Sequence, residues 1–142
     1  MDAASLAAWA ERELGEYLSC PDPTRRAELE RSLLRARDDP AALQKWYEML
    51  DGGAVLGCGA HVQWFACAAL EALVTRRFES LPEAERAAVA GGLERALRAR
   101  GTAMAPPAAR KLASAVVAAA RHQWPERDGG AVRRAAEAAQ AA

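Results

Sequence analysis

The segment HVQWFACAALEALVTRRFESLP, His61 to Pro82, decides how the rest of the chain is read. Val62, Phe65, Ala66, Ala69, Leu70, Leu73 and Val74 recur at spacings of three and four, which places them on one face of an α-helix. A strand would alternate with period two. Gln63, Glu71 and Thr75 lie largely off the apolar face. Arg76 and Arg77 suit the negative end of the helix dipole, and Leu81-Pro82 stops the helix and turns the chain. A helix with so broad an apolar face needs other helices against it.

Those helices are legible on both sides. Leu6, Trp9, Ala10, Leu14, Tyr17 and Leu18 form a stripe over residues 3–19. Asp22-Pro23 is an N-cap and first-turn pair, opening a helix to about Arg37 whose inner face is Leu29, Leu33 and Ala36. Asp38-Asp39-Pro40 starts a third, with Leu43, Trp46, Tyr47 and Leu50 on one side. Asp51 to Ala60 holds four glycines and reads as a loop. After Pro82, Ala88, Val89, Leu93, Ala96 and Leu97 make a stripe to Arg100. Ser80 and Glu83 fit a capping box, and Gly101 fits the residue after the helix. Pro106-Pro107 opens a further helix, with Leu112, Ala113, Val116, Val117 and Ala120 inward, closed by Trp124-Pro125. A last stretch, 128–140, offers Val132, Ala135, Ala136 and Ala139.

Composition agrees. Alanine is about a quarter of the chain, and Ile and Asn are absent. Alanine loses no side-chain entropy in a helix, and strand-favouring residues are scarce. Formal net charge is +0, which disfavours a nucleic-acid partner because phosphate neutralisation needs a basic excess. Cys20, Cys58 and Cys67 form no CxxC, and His61 and His122 stand alone, so no metal site, disulfide framework or cofactor is expected. No apolar run approaches the ~18 residues of a membrane span. With no secretory leader pattern, a soluble intracellular protein is expected. No phosphate loop, GxSxG or HExxH occurs, so no catalytic residue is assigned and an enzyme is not expected.

The helices fall into pairs, about 3–37, 41–78 and 82–123, with 128–140 as the start of a fourth, in a single region spanning 1–142. A unit near 40 residues is the period of HEAT and armadillo repeats. A compact bundle is the structural alternative.

Within that frame, Trp64 to Pro82 resembles the second repeat of the importin-β superfamily, in its exportin-type N-terminal region. An aromatic pair (Trp64, Phe65), Leu70-Glu71, Leu73-Val74, Arg77, Phe78 and Leu81-Pro82 fill the family's places without a gap. Lys111-Leu112 and Trp124-Pro125 are spaced as in the third repeat, and Arg25 to Trp46 resembles the first B helix and the turn beyond it. Phe78 stands where the family more often has Trp, and the loop 51–60 is longer and richer in glycine.

The resemblance implies an all-α chain of HEAT-like helix pairs forming a right-handed superhelix segment. It implies the N-terminal part of an exportin-like receptor that binds the small GTPase Ran in its GTP state and shuttles between nucleus and cytoplasm. Protein cargo and nuclear pore proteins would bind through repeats beyond this chain, with no direct nucleic-acid or membrane partner. In the family the second helix of each pair faces Ran. That makes the off-stripe residues Gln63, Cys67 and Glu71, and Arg110, Ser114 and Arg121, the expected Ran-facing set. Two other readings stand: a helical-repeat scaffold independent of Ran, and a truncated fragment without function of its own. Trp9, Trp46, Trp64 and Trp124 are expected to be packing anchors.

Overall fold

Two prolines placed just inside helix starts, each behind an aspartate, set the first turns of the architecture. The computed structural model describes residues 2–123 and 139–140, and every element among them is helical. The fourth-pair expectation over 128–140 falls almost wholly outside the described residues, as do Trp124 and Pro125. Helix α1 spans Ala3–Ser19, α2 Pro23–Asp38, α3 Pro40–Asp51, α4 Ala60–Arg77, α5 Glu83–Arg100 and α6 Pro106–Gln123. The boundaries follow local chemistry. Asp2, Asp22 and Asp39 accept hydrogen bonds from the N–H groups of Ser5, Thr24 and Ala41 at 2.7, 3.1 and 3.0 Å. Each satisfies a donor that the first turn leaves orphaned. Pro23 and Pro40 stand at first-turn positions, where a missing N–H costs nothing.

Two local expectations are corrected. The capping box at α5 does not form: the N-cap position is Pro82, and Ser80 Oγ donates instead to the Arg77 carbonyl at 2.6 Å. Gly101 is the residue after α5, as expected, its N–H donating to the Leu97 carbonyl; it stays right-handed at φ −56° and leads into a 3₁₀ turn, Gly101–Ala103. The glycine-rich segment between α3 and α4 is not bare loop. It winds a 3₁₀ turn, Ala54–Gly57, whose Val55 is fully buried. Gly53 makes the bend into it at φ 80°, the left-handed region that favours glycine.

Helix α4 is the centre. It packs most extensively on α6 and also meets α1, α2 and α3. Val62, Phe65, Ala66, Cys67, Ala69, Leu70 and Val74 of α4 share one core with Ala108, Leu112, Ala115 and Ala119 of α6. Three of the four α6 residues in this seam, Ala108, Ala115 and Ala119, are alanines and leave little side-chain bulk between the helices, which permits a close approach. Each consecutive pair is in contact, α1 with α2, α3 with α4 and α5 with α6. The odd helices touch more sparingly: α3 meets α5 chiefly where Gly92 admits Tyr47. A Cβ at position 92 would run into the Tyr47 hydroxyl.

Most expected core residues are inside: Leu6, Ala10, Leu14, Leu29, Leu33, Trp46, Leu50, Leu93, Ala96 and Leu112 are buried, and Leu73 and Val116 are partly buried against them. Leu18 and Val117 are not, at 63% and 50% exposed, and Ala120 is exposed too. Leu18 sits in the last turn of α1, past the span that α3 and α4 cover.

Trp46 is completely buried and meets Phe65 edge-to-face, ring centroids 5.4 Å apart at 66°. Its indole Nε1 has no hydrogen-bond partner among the described residues. Trp46→Ala should therefore cost about 3–5 kcal/mol in urea unfolding. Trp46→Phe should cost under about 1.5 kcal/mol, because it also removes an unsatisfied buried donor.

Candidate functional site

A helix enclosed on most sides leaves only a narrow strip for anything outside the protein. On α4 that strip is Trp64, Glu71 and Thr75. It is centred about 100° around the helix from Gln63 and about 60° from Cys67. Trp64 is 42% exposed, so the expected packing anchor stands at the surface, whereas Trp46 is buried and Trp9 packs against the core edge.

Lys111 of α6 reaches across the seam. Its Nζ lies 2.7 Å from Glu71 Oε1 and 5.3 Å from the centroid of the Trp64 ring. The two charged side chains are only 27% and 23% exposed, so this pair is screened less than a surface ion pair. The cation also attracts the ring face. One lysine thereby fixes both a carboxylate and a half-exposed indole. Arg110, Ser114 and Arg121 are exposed along the same helix. Ser114 Oγ donates to the Arg110 carbonyl at 3.2 Å, and Thr75 Oγ1 to the Glu71 carbonyl at 3.0 Å. Neither arginine is in a salt bridge among the described residues. Of the six expected residues, Glu71, Arg110, Ser114 and Arg121 thus lie at or near the surface.

Gln63 and Cys67 do not, and their expected partner-facing role is corrected. Gln63 is buried and works as a clasp. Its Nε2 donates to the Cys58 carbonyl at 3.1 Å, and its Oε1 accepts from the Ala105 N–H at 2.8 Å. It joins the glycine-rich turn before α4 to the entry of α6, and it satisfies two backbone groups that burial would leave costly. Cys67 is wholly enclosed, and burial pushes its thiol up to about 12. Burial, then the charge of Glu11, also raises Cys58.

A second clasp holds the N-terminus of α4, and no pattern along the chain points to it. Glu11 of α1 accepts from the Gly59 N–H at 2.7 Å and lies 3.0 Å from His61 Nε2. A carboxylate there also complements the positive end of the helix dipole. At the far end of α6, His122 lies against Phe78, centroids 5.6 Å apart.

The face combines a half-exposed indole, a paired lysine and two exposed arginines. Its hydroxyls are turned to their own helix carbonyls, and the thiol nearest it is held protonated out of reach. No group of three His, Cys, Asp or Glu among the described residues could hold a metal ion, and no described helix is long and apolar enough to cross a membrane. Comparison of the chain with protein-family models, with curated proteins and with solved structures gave no match.

Two measurements check these placements. A thiol reagent at pH 8 followed by mass spectrometry should label Cys20 and Cys58 in the folded chain and Cys67 only on unfolding. Gln63→Leu should cost about 1–3 kcal/mol, because the Ala105 N–H loses its acceptor.

Proposed function

We propose that this chain is the N-terminal HEAT-repeat portion of an exportin-like nuclear transport receptor. On this reading α2, α4 and α6 are the second helices of three successive pairs and form the layer that meets Ran in its GTP state. The observation that carries the reading is the pattern of helix neighbours. Each helix packs on its pair mate, on the helix two before and on the helix two after, the connectivity of stacked pairs. The close α4–α6 contact against the sparse α3–α5 contact makes the even side the tighter one between the second and third pairs. A stack tight on one side and open on the other bends with the tight layer inside, which is the sense of a superhelix concave along α2, α4 and α6. The gapless likeness of Trp64 to Pro82 to an exportin second repeat supports the same reading.

The partner-facing set is then Trp64, Glu71, Arg110, Lys111, Ser114 and Arg121. Lys111 orders the centre, and Arg110 and Arg121 supply positive charge at its edges. Half-exposed tryptophans and arginines are the residues that carry most energy at protein interfaces. In the transport cycle Ran-GTP and cargo would each raise the other's affinity by favouring one curvature, and both would leave after GTP hydrolysis in the cytoplasm. Cargo would bind on further repeats.

Biolayer interferometry of the purified chain against Ran loaded with a non-hydrolysable GTP analogue or with GDP tests this. Tighter binding of the GTP form is expected, with Trp64→Ala weakening it about tenfold or more. Equal affinity for both nucleotide states, or none, would refute the transport reading. Capture of another protein on the same face, lost in Trp64→Ala, would then favour the Ran-independent scaffold.

A further inference from the structure

At the C-terminal ends of α2 and α4, three arginines gather around one carboxylate. Arg37 donates to Asp38 through Nε at 3.1 Å and Nη2 at 3.4 Å. Arg76 Nη1 donates to the same group at 3.3 and 3.5 Å. The Arg37 hydrogen bond first, then the charges of Arg37, Arg76 and Arg77, hold the Asp38 carboxyl below its ordinary range. These side chains line a cleft of about 120 Å³, closed on its other side by Leu43, Ala72 and Leu73. The carbonyl ends of two helices favour cations, which accounts for basic last turns. It does not account for a cleft between them.

Three guanidinium groups and one carboxylate leave a surplus of two positive charges. Leu43, Leu73 and Arg77 also line a longer groove of about 650 Å³, which runs past Ser80 and Leu81 to Glu85, Ala88 and Val89 of α5. The arginine cleft is therefore the basic end of a largely apolar trough, whose one other charged lining residue is Glu85, apart from the Trp64–Lys111 face and independent of the transport reading.

We propose that this junction binds a phosphorylated serine or threonine of a partner protein. The phosphate sits among Arg37, Arg76 and Arg77, and aliphatic side chains near it in sequence lie on Leu43, Leu73 and Val89. A phosphoryl group carries about −1.5 to −2 at neutral pH and matches the surplus of two, where one carboxylate would leave a charge unbalanced. Guanidinium forks suit its oxygens bidentately. The trough explains why the ligand is a peptide rather than a free anion: apolar surface beside the phosphate gains burial there. Asp38 holds the arginines in place when the cleft is empty and competes with the phosphate for their donors.

The test is fluorescence anisotropy of the full chain with a labelled nonapeptide carrying one phosphothreonine and leucines three and four residues further on. The unphosphorylated peptide and vesicles containing phosphatidic acid run beside it. The phosphopeptide should bind roughly tenfold or more tightly than its unphosphorylated form. Arg77→Gln and, separately, Arg76→Gln should abolish that difference, while circular dichroism reports unchanged helix. Asp38→Asn should strengthen phosphopeptide binding severalfold, because it removes the competitor; a purely structural cluster would be weakened or unmoved. Equal affinity for the two peptides, or a loss in Asp38→Asn, overturns the proposal. Binding to the vesicles without binding to the phosphopeptide overturns it as well and assigns the arginines to a lipid headgroup.

Discussion

The close packing of α4 on α6 is the constraint from which the rest of the fold follows. Alanine on both helices removes the side-chain bulk that normally spaces them, so two backbones approach with Leu112, Phe65 and Val62 filling what remains. Polar groups near this seam must then be paired inside it. Gln63 ties the Cys58 carbonyl to the Ala105 N–H, and Lys111 ties Glu71 to Trp64. Away from this seam, α3 and α5 meet only sparsely, and a groove lined by Leu43, Leu73, Ala88 and Val89 lies there.

Charge is distributed with equal consequence, although the chain as a whole is neutral. Helix α6 carries Arg110, Lys111 and Arg121 with no acid, and α1 carries Glu11, Glu13 and Glu16 against Arg12. Part of this spread serves the fold: Glu11 caps α4, and Arg25 reaches back to Glu16 at 2.8 Å. The remainder faces water on α2, α4 and α6. A formal net charge of zero thus conceals a basic excess on α2, α4 and α6, and the composition argument against a nucleic-acid partner holds only for the chain taken as an average.

The candidate face was legible only to within one residue's rotation. Apolar period fixed which side of α4 looks inward, but the boundary of that side was misplaced. Gln63 and Cys67 seemed outward because a helix on the edge of a protein hides about half its circumference. Helix α4 is surrounded by α1, α2, α3 and α6 and hides far more, leaving Trp64, Glu71 and Thr75 outside. Alanine made the error hard to avoid, since it is as much at home under a neighbour as in water. Trp64 illustrates the converse. Its size points to the core, yet its ring lies at the surface, on the side of α4 that its neighbours leave uncovered, with Lys111 5.3 Å from its centroid.

By itself the sequence determined the all-helical class, nearly every helix boundary and the greater part of the core. These depend on period, proline position and aspartate caps, which act within a few residues of chain. Tertiary structure alone decided which helix is central, which polar residues are clasps and where arginines from α2 and α4 converge. Those outcomes depend on residues such as Glu11 with Gly59, Gln63 with Ala105 and Arg76 with Asp38, far apart in sequence and joined only by packing. A pattern along the chain records which face of a helix is apolar. What covers that face, and how closely, is fixed by the neighbours it meets in space.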